Sequence, residues 1–349
     1  MTLEADIRPS SARTALPFGV SRAYLFLIAA HGATAITLSQ VSAFRFDPGM
    51  AKILGLLLTI LLPWFLLVLR VRRVIILGVV EKSATPIQDL VASLKALALD
   101  RERILGGVIK FMLISFFIGA SAYLKAMITE IQPFAWDAAF ASLDRALHFG
   151  IDPYRITLAL FGSSLATTAL NVVYHAWFFV IYFLTFVACF ARPDDRFAKA
   201  FLIGLVLTFA IGGNLLALVF SSAGPVYFER LGLGADFEPL MEHLRTLNDV
   251  RPVWALGVQE GLWEGHMRQG DLSGISAMPS MHVATTVLMA LYASTHARWA
   301  AWAKWGFAGL IMIGSVHLGW HYAVDGYFGA LIAWAAWRLA VLFAERERA

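Results

Sequence analysis

The chain has 349 residues, of which 59% are hydrophobic and 15% are charged, and its formal net charge is +4. Its mean hydropathy is +0.69. A soluble domain of this length could not bury so much apolar surface, so the composition excludes a soluble globular protein. It predicts an all-α, polytopic bundle of membrane helices. The single cysteine, Cys189, excludes an intramolecular disulfide.

Eight apolar runs are long enough to cross a bilayer, which takes about 20 helical residues. We predict a cytoplasmic N-terminal tail over residues 1–22 and one integral-membrane domain over residues 23–349. The predicted spans are residues 23–43, 51–70, 104–127, 166–190, 199–220, 278–296, 299–318 and 322–343.

Basic residues set the predicted orientation, because short cytoplasmic loops retain Lys and Arg. They concentrate in the tail, between the second and third spans, and between the fourth and fifth spans, which all fall on one side. Both termini are therefore expected in the cytoplasm, as in a bacterial inner-membrane protein, and residues 128–165 and 221–277 are expected outside. The net positive charge follows from this bias and does not indicate nucleic acid binding. The basic residues concerned are Arg8, Arg13, Arg22, Arg72, Arg73, Lys82, Lys95, Arg101, Arg103, Arg192, Arg196 and Lys199.

The two outward segments are candidates for shaping a binding site. Residues 134–155 intersperse apolar positions with charged ones in a pattern that fits an amphipathic helix lying along the membrane interface, or else a connector packed on the spans. Residues 221–277 form a long loop that is a candidate lid.

Two motifs begin the sixth and eighth spans. A PSMH sequence ends at His282, and an HYAVD sequence runs from His321 to Asp325, with one further span between them. Because the chain crosses inward and returns, both histidines are expected at a similar depth. His321 and Asp325 are four residues apart, which places them on one helix face. A carboxylate that holds one imidazole nitrogen protonated leaves the other free as a nucleophile, and this arrangement predicts phosphoryl transfer.

Other interpretations of these polar residues stay open. His282, His317, His321 and Asp325 together would supply four metal ligands, although the chain has no HExxH motif. Any one histidine near a helix end is also compatible with a structural hydrogen bond to a neighbouring helix, as are the intramembrane residues Asn171, His175 and Asn214.

The segments GISAMPSMHVA (274–284) and GWHYAVDGYFG (319–329) resemble the second and third motifs of the type-2 phosphatidic acid phosphatase superfamily. They are most similar to the branch that contains fungal inositol phosphorylceramide synthase. The resemblance implies that His321 is the nucleophile that takes up the phosphoryl group, that Asp325 orients it, and that His282 is the general acid for the leaving alcohol. It implies no cofactor and no metal.

The chain departs from the superfamily pattern where cations are usual. The Ser-Arg pair of the third motif is replaced by Gly314 and Ser315, and the Lys and Arg-Pro of the first motif are absent. The segment SSAGPVYFER (221–230) stands in that place and resembles the synthase-like branch. Arg230 is the first candidate for neutralising phosphate, and Tyr227 and Ser280 are further candidate substrate-binding residues. Weaker candidates for the cation are Arg245, Arg251 and Arg268.

The predicted function is a metal-independent membrane enzyme that acts on a phosphorylated lipid through a phosphohistidine. If an alcohol of a lipid or sugar acceptor resolves the intermediate, the protein is a phosphotransferase like the synthase branch. If water resolves it, the protein is a phosphatase of phosphatidate or polyprenyl phosphate type. The alternative from another class is a lipid transporter that keeps polar residues in its spans for substrate passage.

Overall fold

A computed structural model describes residues 17–47, scattered positions between 55 and 71, and residues 73–82, 84–268, 274–296 and 298–347. All regular structure in these ranges is helical. Residues 1–16 of the predicted tail and most of the predicted span 51–70 lie outside the described residues. The main helices are α1 (Arg22–Val41), α2 (Pro86–Leu99), α3 (Arg101–Ala126), α4 (Asp137–Leu147), α5 (Pro153–Phe161), α6 (Ser164–Cys189), α7 (Arg196–Leu207), α8 (Glu238–Asn248), α9 (Trp254–Met267), α10 (Met281–Ala293), α11 (Arg298–His317) and α12 (Ala323–Arg346).

The prediction of an all-α membrane bundle is confirmed, whereas the count of eight spans is not. Five helical segments in the described ranges are long and apolar enough to cross a membrane. They are α1, α6, α12, and two that extend past α3 and α7, to Ile131 and Val219. Helix α10 is apolar but has only 13 residues, and the extension of α7 includes a π-helical stretch at Thr208–Leu216.

The short helix α10 lies at the centre of the bundle. Eleven of its 13 residues are buried, and it packs against α7, α11 and α12. Small residues let these helices approach closely, as is usual where helices associate in lipid. A Cβ added at Gly329 of α12 would lie 2.6 Å from the Ser280 carbonyl oxygen. The start of α10 is therefore held against α12 by backbone contact.

One end of the bundle is covered by the helices of the long loops. Helix α3 and the extension of α7 finish there, α6, α10 and α12 begin there, and α4, α5, α8 and α9 pack over them. Helix α4 is amphipathic, but its buried face includes Asp137 and Asp144 as well as Phe140 and Ala141. Of the two arrangements expected for residues 134–155, the structure has the segment packed on the spans.

We predict that Gly329→Ala destabilises the protein, because the new methyl group meets the Ser280 carbonyl oxygen in a packed core. Overpacking of this kind typically costs about 1–3 kcal/mol. The measurement is the thermal unfolding temperature in detergent. The matched control is Gly309→Ala on α11, where an added Cβ meets no atom within 4 Å. Equal unfolding temperatures for the two variants would contradict the close approach of α10 and α12.

Candidate active site

The PSMH motif forms the capped start of α10. The Ser280 hydroxyl accepts a hydrogen bond from the Val283 N–H at 3.4 Å, and the Ser280 N–H donates to the Asp325 carbonyl at 3.0 Å. Serine is a preferred residue at this position because its side chain satisfies an N–H group that the helix leaves free. The cap fixes His282 as the second residue of the helix, and the backbone bond ties that turn to α12.

The HYAVD motif places His321 just before α12 and Asp325 in its first turn. The Asp325 carboxylate accepts a hydrogen bond from the Tyr322 N–H at 3.0 Å, and its Oδ2 lies 3.4 Å from His321 Nδ1. Asp325 is fully buried and His321 is 7% exposed. Because Nδ1 faces the carboxylate, Nε2 is the ring nitrogen left for other chemistry.

The two histidine rings face each other across a narrow gap. Their centroids are 6.4 Å apart, and the His282 ring stacks on Tyr174 at 4.5 Å and contacts Trp177 at 4.2 Å. Burial lowers the pKa of the His321 imidazole to about 3, and the positive charge of Lys125 adds a smaller lowering. A hydrogen bond to the backbone of Ala277 opposes this shift. His321 is therefore neutral at physiological pH, with a lone pair available.

Both histidines line a cavity of about 440 Å³. Its wall is mostly apolar and comes from α3, α6, α9, α10 and the segments around the two motifs. A charged side chain also lines it, that of Lys125 at the end of α3. The apolar residues that line it include Ile118, Phe178, Phe209, Val258, Leu262 and Ile275. Such a wall suits a lipid chain, and the few polar groups gather at the histidines.

The structure brings only part of the predicted substrate-binding set to this cavity. Tyr227 lines it, and its hydroxyl donates to the Gln259 carbonyl at 2.8 Å. Arg230 does not line it, because its guanidinium pairs with Glu260 on the outer surface at 2.5 Å. Arg230 lines a separate cavity of about 280 Å³ instead. Ser280 is fully buried and acts as the cap of α10.

The four candidate metal ligands do not converge. His317 lies between two threonines, 2.9 Å from the Thr167 hydroxyl and 3.3 Å from the Thr157 hydroxyl. No group of three His, Cys, Asp or Glu side chains within the described ranges is arranged to hold a metal ion.

Two buried carboxylates of α4 bind the backbone segments next to the site. The sequence analysis names neither of them as a site residue. Asp144 accepts hydrogen bonds from the N–H groups of Ala323 and Val324, at 2.7 and 2.9 Å, at the start of α12. Asp137 accepts from the N–H groups of Ala223 and Gly224 and from the Tyr322 hydroxyl.

Burial raises the pKa of both carboxyl groups, and the hydrogen bonds from backbone N–H groups oppose that rise. The seven-residue spacing of Asp137 and Asp144, two turns on one helix face, was the signal in the sequence. The same spacing is common in exposed helices that present acids to water, so it does not by itself identify buried carboxylates.

These features define a class of protein: a membrane helical bundle with an apolar cavity and a His-His-Asp set beside it. A family model described as the PAP2 superfamily matches residues 138–339, which is more than half of the chain. The chain belongs to this superfamily, which confirms the superfamily that the two motifs resemble. No curated protein and no solved structure matches the chain. The narrower resemblance to the synthase-like branch stays a prediction.

We predict that Asp144→Asn loosens the start of α12, because an amide cannot accept from both N–H groups as the carboxylate does. Hydrogen–deuterium exchange of peptides covering residues 321–326 should become faster. The matched control is Asp236→Asn. Asp236 is an exposed carboxylate that pairs with Arg145, the neighbour of Asp144 in α4. Unchanged exchange in Asp144→Asn would show that the carboxylate does not hold this turn.

Proposed function

We propose that the protein is a phosphotransferase or phosphatase of membrane lipids that works through a phosphohistidine on His321. The observation that carries the proposal is the placement of a neutral imidazole, oriented by Asp325, close to His282 at the wall of an apolar cavity. Membership of the PAP2 superfamily supports a phosphatase or phosphotransferase type of activity.

The geometry supports a two-step reaction. His321 Nε2 attacks the phosphorus, so an N–P bond forms while the bond from phosphorus to the lipid alcohol oxygen breaks. His282 gives a proton to that oxygen as it leaves. In the second step, a hydroxyl group gives its proton to His282 and attacks the phosphorus, and the N–P bond breaks. The centroids of the two rings are 6.4 Å apart, so one phosphate ester group can lie next to both imidazoles.

Asp325 keeps Nδ1 of His321 protonated during attack and stabilises the positive charge that the ring gains when the N–P bond forms. The stacking of His282 on Tyr174 fixes the plane of its ring, so the proton is delivered in one direction. General acid help of this kind is typically worth roughly 10²- to 10⁴-fold in rate.

The hydroxyl of the second step decides between transfer and hydrolysis. The likeness of GISAMPSMHVA and SSAGPVYFER to the synthase-like branch favours an alcohol acceptor, and the same machinery with water gives a phosphatase. The basic residues of the predicted cytoplasmic loops favour an active site on the extracytoplasmic face of a bacterial inner membrane. A transporter would not need an oriented imidazole next to a second one, so the paired motifs argue against it.

We predict that His321→Ala abolishes turnover and covalent labelling, whereas His282→Ala slows turnover. Purified protein and a lipid labelled with ³²P at the phosphate should give an adduct that is stable in base and labile in acid, as expected for an N–P bond. The matched control is His243→Ala, whose ring bonds the Gly162 carbonyl away from the cavity. An adduct that persists in His321→Ala would remove His321 from the nucleophile role.

We also predict that chelators leave the rate unchanged, because none of the described residues forms a metal-binding group around His282 and His321. The measurement is the turnover rate after dialysis against EDTA and again after Zn²⁺ or Mn²⁺ is added. A rate that vanishes with EDTA and returns with metal would make the histidines metal ligands and would contradict the phosphohistidine scheme.

A further inference from the structure

Lys125 is a cation in an unusual place for a membrane helix. It lies in the last turn of α3, and its side chain lines the same cavity as His282 and His321. Lysines near the ends of membrane helices commonly extend outward to the interface, but this one faces the space between helices. None of the salt bridges among the described residues includes Lys125. A charge in such a position marks a functional site by default.

Two other kinds of group that commonly bind anions, a helix start and the arginines of the covering segments, are largely engaged already. The start of α12 would attract phosphate, but the carboxylates of Asp144 and Asp325 occupy its N–H groups at Tyr322, Ala323 and Val324. The arginines of the covering segments are paired with carboxylates, except for the exposed Arg251. The paired ones are Arg145, Arg155, Arg230, Arg245 and Arg268.

We infer that Lys125 binds the phosphate of the substrate, and that the single positive charge it supplies selects a phosphodiester lipid over a phosphomonoester lipid. The inference rests on the function proposed above. A phosphomonoester carries close to two negative charges at neutral pH, because its second pKa is about 6. A diester carries one, which a single ammonium group balances. The second charge of a monoester would be buried without a partner, beside the carboxylate of Asp325, and such charges are strongly disfavoured.

The chemistry then has a definite form. His321 attacks the phosphorus of the diester, one of the two ester bonds to phosphorus breaks, and His282 protonates the alcohol oxygen that leaves. The intermediate keeps the other alcohol on the phosphorus and one negative charge next to Lys125. Transfer to an acceptor hydroxyl regenerates a diester, so the charge beside Lys125 is the same before and after the reaction.

The test measures binding without turnover. Protein with His321→Gln is titrated calorimetrically at about pH 8 in neutral detergent with dihexanoyl phosphatidylglycerol, a diester, and with dihexanoyl phosphatidic acid, a monoester. We expect the diester to bind about 10-fold or more tightly than the monoester. Adding Lys125→Met should weaken diester binding roughly 10- to 100-fold, the usual range for a lost hydrogen bond to a charged group. Lys125→Arg, which keeps the positive charge, should retain most of the affinity for the diester.

The matched control is Lys110→Met. Lys110 is a buried lysine of α3 that lies about 22 Å along the helix from Lys125, away from the cavity. Each double variant should unfold at the temperature of the His321→Gln parent, so that lost affinity is not lost structure. Diester binding unchanged by Lys125→Met but lost in Arg230→Met would return the role to Arg230 and overturn the inference. Monoester binding as tight as diester binding would overturn the inferred preference for a phosphodiester.

The outcome for the parent separates this inference from the proposed function. If His321→Gln binds neither lipid, the function proposed above fails and this inference fails with it. If it binds both lipids and Lys125→Met changes neither, only the role of Lys125 fails.

Discussion

The site depends on the way the starts of α10 and α12 are joined. The Ser280 N–H donates to the Asp325 carbonyl, and the carboxylate of the same aspartate accepts from Tyr322 and faces His321. One residue thus links the two motifs through its backbone and orients the imidazole through its side chain. Polar groups buried in a membrane protein have no water to hydrogen-bond, so their hydrogen bonds must be made within the protein. The absence of a side chain at Gly329 allows the two helices to approach this closely.

The same constraint explains the buried carboxylates of α4. An ionised group taken out of water is costly unless hydrogen bonds replace its hydration. Asp137 and Asp144 receive such bonds from backbone N–H groups of the two segments that surround the cavity. A covering helix that lies outside the bundle therefore fixes the position of the SSAGPVYFER segment and of α12 at once. Packing alone would leave these loop segments free to move relative to each other.

The sequence was most informative where the relation between residues is local. The four-residue spacing of His321 and Asp325 and the length of one intervening span were enough to predict that two imidazoles and a carboxylate meet, and the apolar runs predicted the bundle. Contacts between distant segments leave no such pattern. Asp144 meets α12 across 179 residues, and its acidic neighbours suggested a surface helix.

The choice of the cation could not be made from sequence either. Arg230 was favoured because it closes a motif-like segment, but a neighbouring helix supplies Glu260 as its partner. Only the packing of α9 against that segment brings them together. Lys125 precedes every motif and lies within the predicted span 104–127, where nothing in the sequence marks it as a binding residue.

The distribution of charge divides the covered end of the bundle into two layers. On the outer surface, arginines and carboxylates pair with each other, so little net charge is left there. Inside, histidines and one lysine line an apolar cavity, and the buried carboxylate of Asp325 lies beside His321. In that low-polarity space a single charge acts over a longer range than it would in water. On the role inferred for Lys125, substrates would be selected by the charge on their phosphate more than by contacts to a headgroup, because few polar groups line the cavity.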